Sequence, residues 1–283
     1  MLGPKAATVA AVLGLLAACA PAGPTTPPDP PGDVLRVMTW NVETRERSPA
    51  EWAPTIADAR PDVLGLQEIC AGEAVELAEL LRRDHGLAYE AVPGPIRPVP
   101  AEDGLPLNVA LRRPCRDGAV VTYGLAVLSR LPVETSATEL FPPDHRDEQR
   151  GYQRLTLRGP DSAPLAVYNV HVGLAGVQPE QIRALGAAAA GEAGATVVLG
   201  DLNVPAEAGD VPGPLGEFDE VDPDGRLPTS DNRADTPGAP AAEKIDYIFH
   251  RGLVASSPPA APWVPSSDHR PLIAALRPAA PPR

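Results

Sequence analysis

The chain has 283 residues, of which 43% are hydrophobic and 4% aromatic, and its net charge is −13 with an isoelectric point near 4.8. This length and composition suffice for a large buried core, in one large or two ordinary domains. Tight, sequence-independent binding of nucleic acid usually needs a positively charged face, so the charge argues against a protein that wraps DNA. It does not exclude an enzyme that cuts nucleic acid.

The first eighteen residues have the pattern of an export signal. Lys5 precedes an apolar run, residues 6–18, that is too short to cross a bilayer as a helix. The run ends in Leu-Ala-Ala-Cys, which resembles the lipobox of bacterial lipoproteins and implies cleavage before Cys19 with diacylglyceryl attachment to its sulfur. A plain cleaved secretory signal is the alternative.

The segment after the signal predicts a spacer. Residues 19–32 are rich in proline and lack the apolar residues needed to fold, so a semi-rigid linker is expected before a folded domain at 33–278 and a tail at 279–283. Acyl chains on Cys19 would hold the protein at a membrane, because each buried methylene contributes about 0.8 kcal/mol. The expected location is therefore extracytoplasmic, either as a membrane-anchored lipoprotein or as a secreted protein.

Two cysteines remain once Cys19 is assigned to the lipid. In an exported protein, Cys70 and Cys115 are expected to form a disulfide, with two free buried thiols as the alternative. No CxxC or paired His/Cys spacing accompanies them, so a zinc site is not expected.

Hydrophobic periodicity predicts the secondary structure in chain order. The predicted strands are 34–41, 63–68, 125–130, 152–157, 165–172, 197–204 and 244–250, with a last strand from Leu272. The predicted helices are 52–60, 73–83 and 179–190. The segments 89–116 and 205–242 are rich in proline and show no clear element beyond a short strand at 108–111, and loops of that length are usually functional or mobile.

Several of these strands end on an acid, an amide or a histidine. In residues 197–204, VVLGDLNV, Asp201 and Asn203 are two positions apart and therefore point the same way from the end of an extended strand. Acid and amide residues also begin ordinary turns, so this segment alone does not decide between a site and a turn. The strand at 165–172 places Asn169 and His171 on one face.

Short motifs follow one another along the chain and carry these polar residues. They are TWN at Asn41, LQE at Glu68, LSR at Arg130, NVH at His171, GDLN at Asp201 and Asn203, IDYI at Asp246, and SDH at Asp268 and His269. Together, and in this order, they resemble the endonuclease/exonuclease/phosphatase superfamily, the DNase I-like group. The resemblance implies an α/β fold, a four-layer sandwich of two packed mixed β-sheets flanked by helices, with the active site at one edge.

The resemblance also implies a metal site. Glu68 and Asp268, with Asn41 beside them, resemble the ligands of a divalent cation, and hard oxygen ligands without a thiolate suit Mg²⁺ or Mn²⁺. Asp201 resembles the residue that orients or deprotonates the attacking water, and Asn203 resembles the amide that holds a phosphate oxygen.

Basic groups complete the implied site. His269, paired with Asp246, resembles the group that stabilises charge on the phosphate, since a nearby carboxylate favours the imidazolium. His171 is a candidate acid for the departing oxygen, and Arg150 resembles the arginine that supports the site. In the DNase branch an acid assists the first histidine. Here Glu148 or Glu134 could do so, although neither falls on a motif.

The expected activity is metal-dependent hydrolysis of a phosphodiester, with nucleic acid preferred and an extracytoplasmic, monomeric endonuclease as the first hypothesis. The basic residue that would grip DNA soon after Glu68 is missing, because residues 69–72 are Ile, Cys, Ala and Gly. The anchor and the low basicity favour the alternative, a lipid (sphingomyelinase-like) or inositol-phosphate phosphoesterase. A non-catalytic surface binding protein predicts lost ligands, and none is lost.

Overall fold

The computed structural model describes residues 32–44, 46–96, 115, 122–142, 149–159, 162–174, 176–208, 213–230 and 243–279. The predicted signal peptide, most of the linker and the short strand expected at 108–111 lie outside these ranges. Within them, no helix has the length and hydropathy needed to cross a bilayer.

The described chain is built from short strands and three helices. The strands are β1 (Leu35–Asn41), β2 (Val63–Cys70), β3 (Glu90–Pro95), β4 (Tyr123–Ser129), β5 (Val133–Leu140), β6 (Gly151–Arg158), β7 (Pro164–His171), β8 (Ala195–Asp201), β9 (Asp219–Glu220), β10 (Asp246–Arg251), β11 (Leu253–Ala255) and β12 (Leu272–Pro278). The helices are α1 (Pro49–Ala59), α2 (Ala71–His85) and α3 (Gln178–Ala190).

The strands form two six-stranded mixed sheets. Sheet A has the order β11-β12-β1-β2-β4-β3, and sheet B has the order β5-β6-β7-β8-β10-β9. In sheet A the central pair β1 and β2 is parallel, and in sheet B the pair β7 and β8 is parallel, whereas their other neighbours run antiparallel. The predicted fold is confirmed.

Three apolar clusters hold the layers together. One lies between the sheets and includes Val37 of β1, Val167 of β7 and Leu199 of β8. A second packs sheet A against α1 and α2, and a third packs sheet B against α3. Successive strand residues face opposite sides, so every second residue of each inner strand belongs to the layer between the sheets. This alternation decides which polar residues meet at the edge.

The sequence analysis missed several strands at the sheet edges. β3 and β5 are the outermost strands of sheets A and B. β3 contains Pro93 and Pro95, which edge strands tolerate because one side of the strand needs no ladder hydrogen bonds. β5 is largely exposed and so lacks an apolar alternation. β9 and β11 are two and three residues long, which is too short for periodicity to detect.

The structure contains the expected disulfide between Cys70 and Cys115, which are separated by 45 positions. Cys70 is the last residue of β2 and the N-cap of α2. Its backbone N–H donates to Oε2 of Glu73, which also accepts a hydrogen bond from Thr44. The disulfide therefore joins the chain at the point where β2 gives way to α2, two residues after Glu68.

Candidate active site

Strand direction and register bring the polar strand ends to one edge of the sandwich. In sheet B, Asp201 at the end of β8 pairs with His171 at the end of β7 and with Asp246 at the start of β10. In sheet A, Asn41 at the end of β1 pairs with Gln67 of β2. Because β12 runs antiparallel to β1, the residues that precede it, including His269, reach the same edge.

The side chains of Asp201 and His171 also lie on the inner face of sheet B. Asp201 is two residues after the inner-face residue Leu199, and His171 is four residues after Val167. Asp246, His171 and Asp201 are 0%, 5% and 1% exposed. The edge is therefore a largely desolvated cluster of titratable groups, an arrangement that shifts pKa values and is typical of active sites.

A β-bulge directs Glu68 to this edge. The register between β2 and β4 shifts between Gln67 and Ile69, and Glu68 has a left-handed φ of 54°. Ile69 belongs to the apolar cluster between sheet A and the helices, on the outer face of the sheet. Glu68 is therefore the extra residue of the bulge, since the alternation between inner and outer faces passes from Gln67 directly to Ile69. Bulges next to active sites commonly re-aim a side chain in this way.

The loop before β12 is tied to the end of β1. Nε1 of Trp40 donates to the carbonyl oxygen of His269 at 3.0 Å. Oγ of Ser267 donates to the carbonyl oxygen of Asn41 at 2.6 Å and accepts the backbone N–H of His269 at 3.0 Å. These bonds hold Asp268 and His269 beside Asn41.

Three carboxylates cluster on the sheet A side. Burial raises the pKa of Asp268, and the charge of Glu68 adds to this effect. Burial, followed by the charges of Asp268 and Glu68, raises the pKa of Glu43 to about 7. Carboxylates whose negative charges repel one another in a partly desolvated site gain free energy from a cation between them. The donor set is made of hard oxygens, so these residues fit a divalent cation of the Mg²⁺ or Mn²⁺ type.

Asn41 holds the carboxylates in place through its amide nitrogen. Nδ2 lies 3.1 Å from Oδ2 of Asp201 and 3.3 Å from Oε1 of Glu68, and it donates to both. Oδ1 of Asn41 accepts the backbone N–H of Glu43 at 3.2 Å. This orientation favours a role for Asn41 in positioning Glu68 and Asp201, and its place beside a metal stays a prediction.

His269 lies between two carboxylates. Its Nδ1 donates to Oδ2 of Asp246 at 2.9 Å, and its Nε2 lies 3.8 Å from Oδ2 of Asp201. Burial disfavours the imidazolium, but the charge and hydrogen bond of Asp246, followed by the charge of Asp201, raise the pKa of His269 to about 10. One ligand atom from each of these three residues lies within 4.8 Å of the others, a metal-like spacing. Because Nδ1 of His269 already lies at hydrogen-bond distance from Oδ2 of Asp246, we interpret this group as an ion-paired hydrogen-bond network.

Asp201 has the environment of a general base. Burial and the neighbouring charge of Asp246 raise its pKa to about 7, against the opposing effects of His269, Asn41 and the backbone N–H of Asn203. That N–H donates to Oδ1 of Asp201 at 2.9 Å. A base whose pKa lies near the working pH is suited to accept a proton in the transition state.

The environment of His171 favours its neutral form. Burial, followed by the charges of Arg150 and His269, lowers its pKa well below the usual value. Nη1 of Arg150 lies 2.6 Å from Nδ1 and 2.8 Å from Nε2 of His171, and Nε2 lies 3.4 Å from Oδ2 of Asp201. The role of His171 as the acid for the departing oxygen stays a prediction.

Two further predictions have clear outcomes in the geometry. Asn203 adopts a left-handed φ of 51°, and its Nδ2 donates to the carbonyl oxygen of Val172 at 2.8 Å, so the amide ties the ends of β7 and β8 together.

The prediction that Glu134 is the acid that assists the first histidine is wrong. Glu134 pairs with Arg158 at the opposite end of β6, away from His171. Glu148, the other candidate, lies outside the described residues.

The sequence analysis missed Glu43. It follows Asn41 by two positions, and its φ of 48° is left-handed, so it belongs to a turn whose direction no periodicity predicts. The only available signal was an acid close behind a strand-end amide, which is common in ordinary turns.

The two-sheet sandwich with this polar edge defines the DNase I-like class of hydrolase fold. The sequence model of the Endonuclease/Exonuclease/phosphatase family matches residues 38–269, and the chain belongs to this family. Members of the family are generally divalent-metal-dependent hydrolases. No curated protein sequence matches the chain.

Solved structures share the fold. An endonuclease/exonuclease/phosphatase from Beutenbergia cavernae has a TM-score of 0.65 at 21% identity, with 87% of this chain and 72% of that chain covered. One from Bacteroides vulgatus has a TM-score of 0.65 at 18% identity, with 87% and 99% covered. D. rerio TDP2, solved with a single-strand DNA product, has a TM-score of 0.62 at 18% identity, with 86% and 99% covered. Identities this low establish the fold alone.

Proposed function

We propose that this protein is a divalent-metal-dependent phosphodiesterase that acts outside the cytoplasm, with nucleic acid as its preferred substrate and endonucleolytic cleavage as its action. The observation that carries the proposal is the position of Asp201. It lies between a carboxylate cluster suited to a cation and the imidazolium of His269. A base and positive charges that converge on one desolvated edge are the requirements for hydrolysis of an anionic ester.

Glu68 and Asp268, with Glu43 beside them, would hold the cation, which when bound supplies positive charge against the phosphoryl oxygens. Asp201 orients a water molecule and accepts its proton as the water oxygen bonds to phosphorus. The bond from phosphorus to the leaving oxygen then breaks, and that oxygen takes a proton from solvent. Asn203 and the imidazolium of His269 donate hydrogen bonds to phosphoryl oxygens as charge develops there, and Asp246 keeps His269 protonated. Neutral His171 contacts Arg150, and its Nε2 lies 3.4 Å from Oδ2 of Asp201, where it helps to position that carboxylate.

A lipid or inositol-phosphate ester is the second candidate substrate. Leu140 ends β5 opposite Gly151, and Leu174 follows β7, so both lie on the side of sheet B that carries His171. They are 45% and 50% exposed. Ile69, where a DNA-gripping residue is expected, is buried. Exposed apolar side chains near the site favour a lipid surface, although single exposed residues are common on soluble proteins.

We further propose that Cys19 carries a lipid that anchors the mature protein to a membrane. The lipobox-like residues before it support this proposal. Metabolic labelling of the full chain with a fatty-acid analogue should tag the wild type and leave Cys19→Ser unlabelled. Labelling of neither would make the protein a plain secreted one, and equal labelling of both would place the lipid on another residue.

Substrate profiling tests the activity. Purified protein with Mg²⁺ or Mn²⁺ is incubated side by side with plasmid DNA, RNA, sphingomyelin and inositol phosphates, and Asp201→Asn is the inactive control. Nicking of plasmid DNA that the variant lacks supports the nuclease. Turnover of a lipid or inositol phosphate without nicking would identify the second candidate as the substrate. If the metal-loaded protein hydrolysed no ester, that result would contradict the proposal of a phosphodiesterase.

A further inference from the structure

Two amide side chains cross the space between the sheets directly beneath the candidate site. Asn169 lies on the inner face of β7, two residues before His171, and Gln67 lies on the inner face of β2, next to Glu68. Both are 0% exposed. Nε2 of Gln67 donates to Oδ1 of Asn169 at 2.7 Å, so a side-chain hydrogen bond joins sheet A to sheet B.

The backbone fixes the orientation of both amides. Nδ2 of Asn169 donates at 3.0 Å to the carbonyl oxygens of Leu66 and Ala126, which pair across β2 and β4. Both N–H groups of the Asn169 amide are therefore in use, and its Oδ1 points toward Gln67. An amide oxygen only accepts hydrogen bonds, so the atom of Gln67 that faces it must be the nitrogen. The second N–H of that nitrogen donates to Oγ1 of Thr39 on β1 at 3.0 Å.

A glycine makes room for this crossing. A Cβ atom at Gly65 would lie 2.8 Å from Oδ1 of Asn169 and 2.0 Å from Cδ1 of Leu199. Any other residue at position 65 would close the space into which Asn169 reaches. Gly65 and Gln67 are two apart on one strand and therefore share the inner face, so the LGLQE segment provides both the gap and the donor.

We propose that Asn169 and Gln67 are positioning residues of this site, whose hydrogen bond sets the distance between Glu68 on sheet A and His171 with Asp201 on sheet B. This inference rests on the proposed function. Glu68 sits in a bulge with a left-handed backbone, a conformation that persists only when its surroundings hold it. Buried amides are costly when unpaired, and three of the four polar atoms of these two amides are hydrogen-bonded within the described part of the chain, Oε1 of Gln67 being the exception. The network therefore favours one arrangement of the two sheets at this depth.

A second crossing provides a matched control. Gln153 lies on β6 opposite Asn169, and its Nε2 donates to the carbonyl oxygen of Val92 on β3 at 2.7 Å. It also faces a glycine, because a Cβ at Gly94 would lie 2.7 Å from its Cδ. Gln153 thus joins the sheets at the same depth, but none of its hydrogen bonds within the described ranges reaches Gln67 or Glu68.

The experiment compares Asn169→Leu, Gln67→Met, their double variant and Gln153→Met in the purified full chain. Each substitution replaces an amide with an apolar side chain of similar length and removes that amide's inter-sheet hydrogen bonds. Four quantities are measured: the melting temperature, the Kd for Mn²⁺ by calorimetry, and kcat and KM on the substrate found by profiling. Gln67→Met carries the test if Asn169→Leu does not fold.

We expect Asn169→Leu and Gln67→Met each to lower kcat by about 10- to 100-fold with little change in KM, since small misplacements of a site have effects of this size. The loss in the double variant should be smaller than the product of the two single losses, because both single variants already lack the shared hydrogen bond between Gln67 and Asn169. The Kd for Mn²⁺ should rise about tenfold in both, whereas Gln153→Met lowers the melting temperature and leaves kcat and Kd within about twofold of the wild type.

If Gln153→Met changed kcat and the Kd for Mn²⁺ as much as Asn169→Leu does, both inter-sheet hydrogen bonds would contribute only to general packing. That result would overturn the inference. Wild-type values in both Asn169→Leu and Gln67→Met would do the same. If the wild type hydrolyses no ester, the proposed function fails, and the Mn²⁺ comparison still decides whether the inter-sheet bond positions Glu68.

Discussion

The imidazole of His269 donates its Nδ1–H to the carboxylate of Asp246 across 2.9 Å, and both groups are buried. Asp246 is the reason that a buried histidine carries a charge, since burial alone would lower its pKa. The same hydrogen bond fixes the ring so that Nε2 faces Asp201.

Asp246→Asn should therefore lower the pKa of His269 and lower kcat by about 100-fold or more at pH 7.5, the usual loss when one donor to a developing oxyanion is removed. Activity requires the imidazolium, which persists as the pH rises until about pH 10 in the wild type. In the variant the imidazolium is lost at a lower pH, so kcat should fall at a lower pH as well. NMR titration of the His269 ring and kcat from pH 6 to 9 measure both effects. Asp224→Asn, an exposed carboxylate paired with Arg226, is the control.

Removal of the metal ligands should abolish both cation binding and activity. Mn²⁺ at about 100 times its Kd should stabilise the wild type by about 2.7 kcal/mol, because it binds only the folded state. Glu68→Gln and Asp268→Asn should lose this thermal shift, and EDTA should stop wild-type hydrolysis reversibly. Asp58→Asn, on the exposed side of α1, should behave as wild type. A full Mn²⁺ shift in both ligand variants would place the cation elsewhere.

Glu43→Gln should stabilise the metal-free protein at pH 7.5. The pKa of Glu43 is raised in the folded state, so the folded state binds more protons than the unfolded state between pH 4.5 and about 7, and stability falls as the pH rises through this window. Because the side chain is half-exposed, we expect a gain of about 1 kcal/mol above pH 7 and none below pH 4.5. Urea unfolding in EDTA at both pH values tests this. Glu76→Gln, on the exposed side of α2, is the control, and a gain of equal size at both pH values would contradict the mechanism.

Reduction of the disulfide should destabilise the domain by about 2–4 kcal/mol, since Cys70–Cys115 closes a long loop of the unfolded chain. The measurement is the urea midpoint with and without dithiothreitol. The Cys70→Ser, Cys115→Ser double variant should match the reduced wild type and no longer respond to reductant. An identical midpoint for oxidised and reduced wild type would mean that the link contributes nothing to stability.

The inner strands could be predicted from their local apolar runs, whereas the fold and the candidate site residues followed from the family resemblance that the short motifs carry. β7 is an example, because its buried run carries Asn169 and His171 near its end. The edge strands could not be predicted in the same way. β3 contains two prolines and β5 is largely exposed, so the hydrogen bonds and packing that make them strands come from partners far away in the chain.

The sequence by itself determined the order of the motifs, the hard-oxygen character of the metal candidates and the identity of the groups at the strand ends. Only the tertiary structure decided the orientations and the protonation of these groups. The bulge at Glu68, the nearness of Glu43, the amide direction of Asn41, and the opposite pKa shifts of His171 and His269 all arise from the packing of two sheets. Burial and neighbouring charge set a pKa and long-range register sets a direction, and neither quantity is encoded in any short stretch of residues.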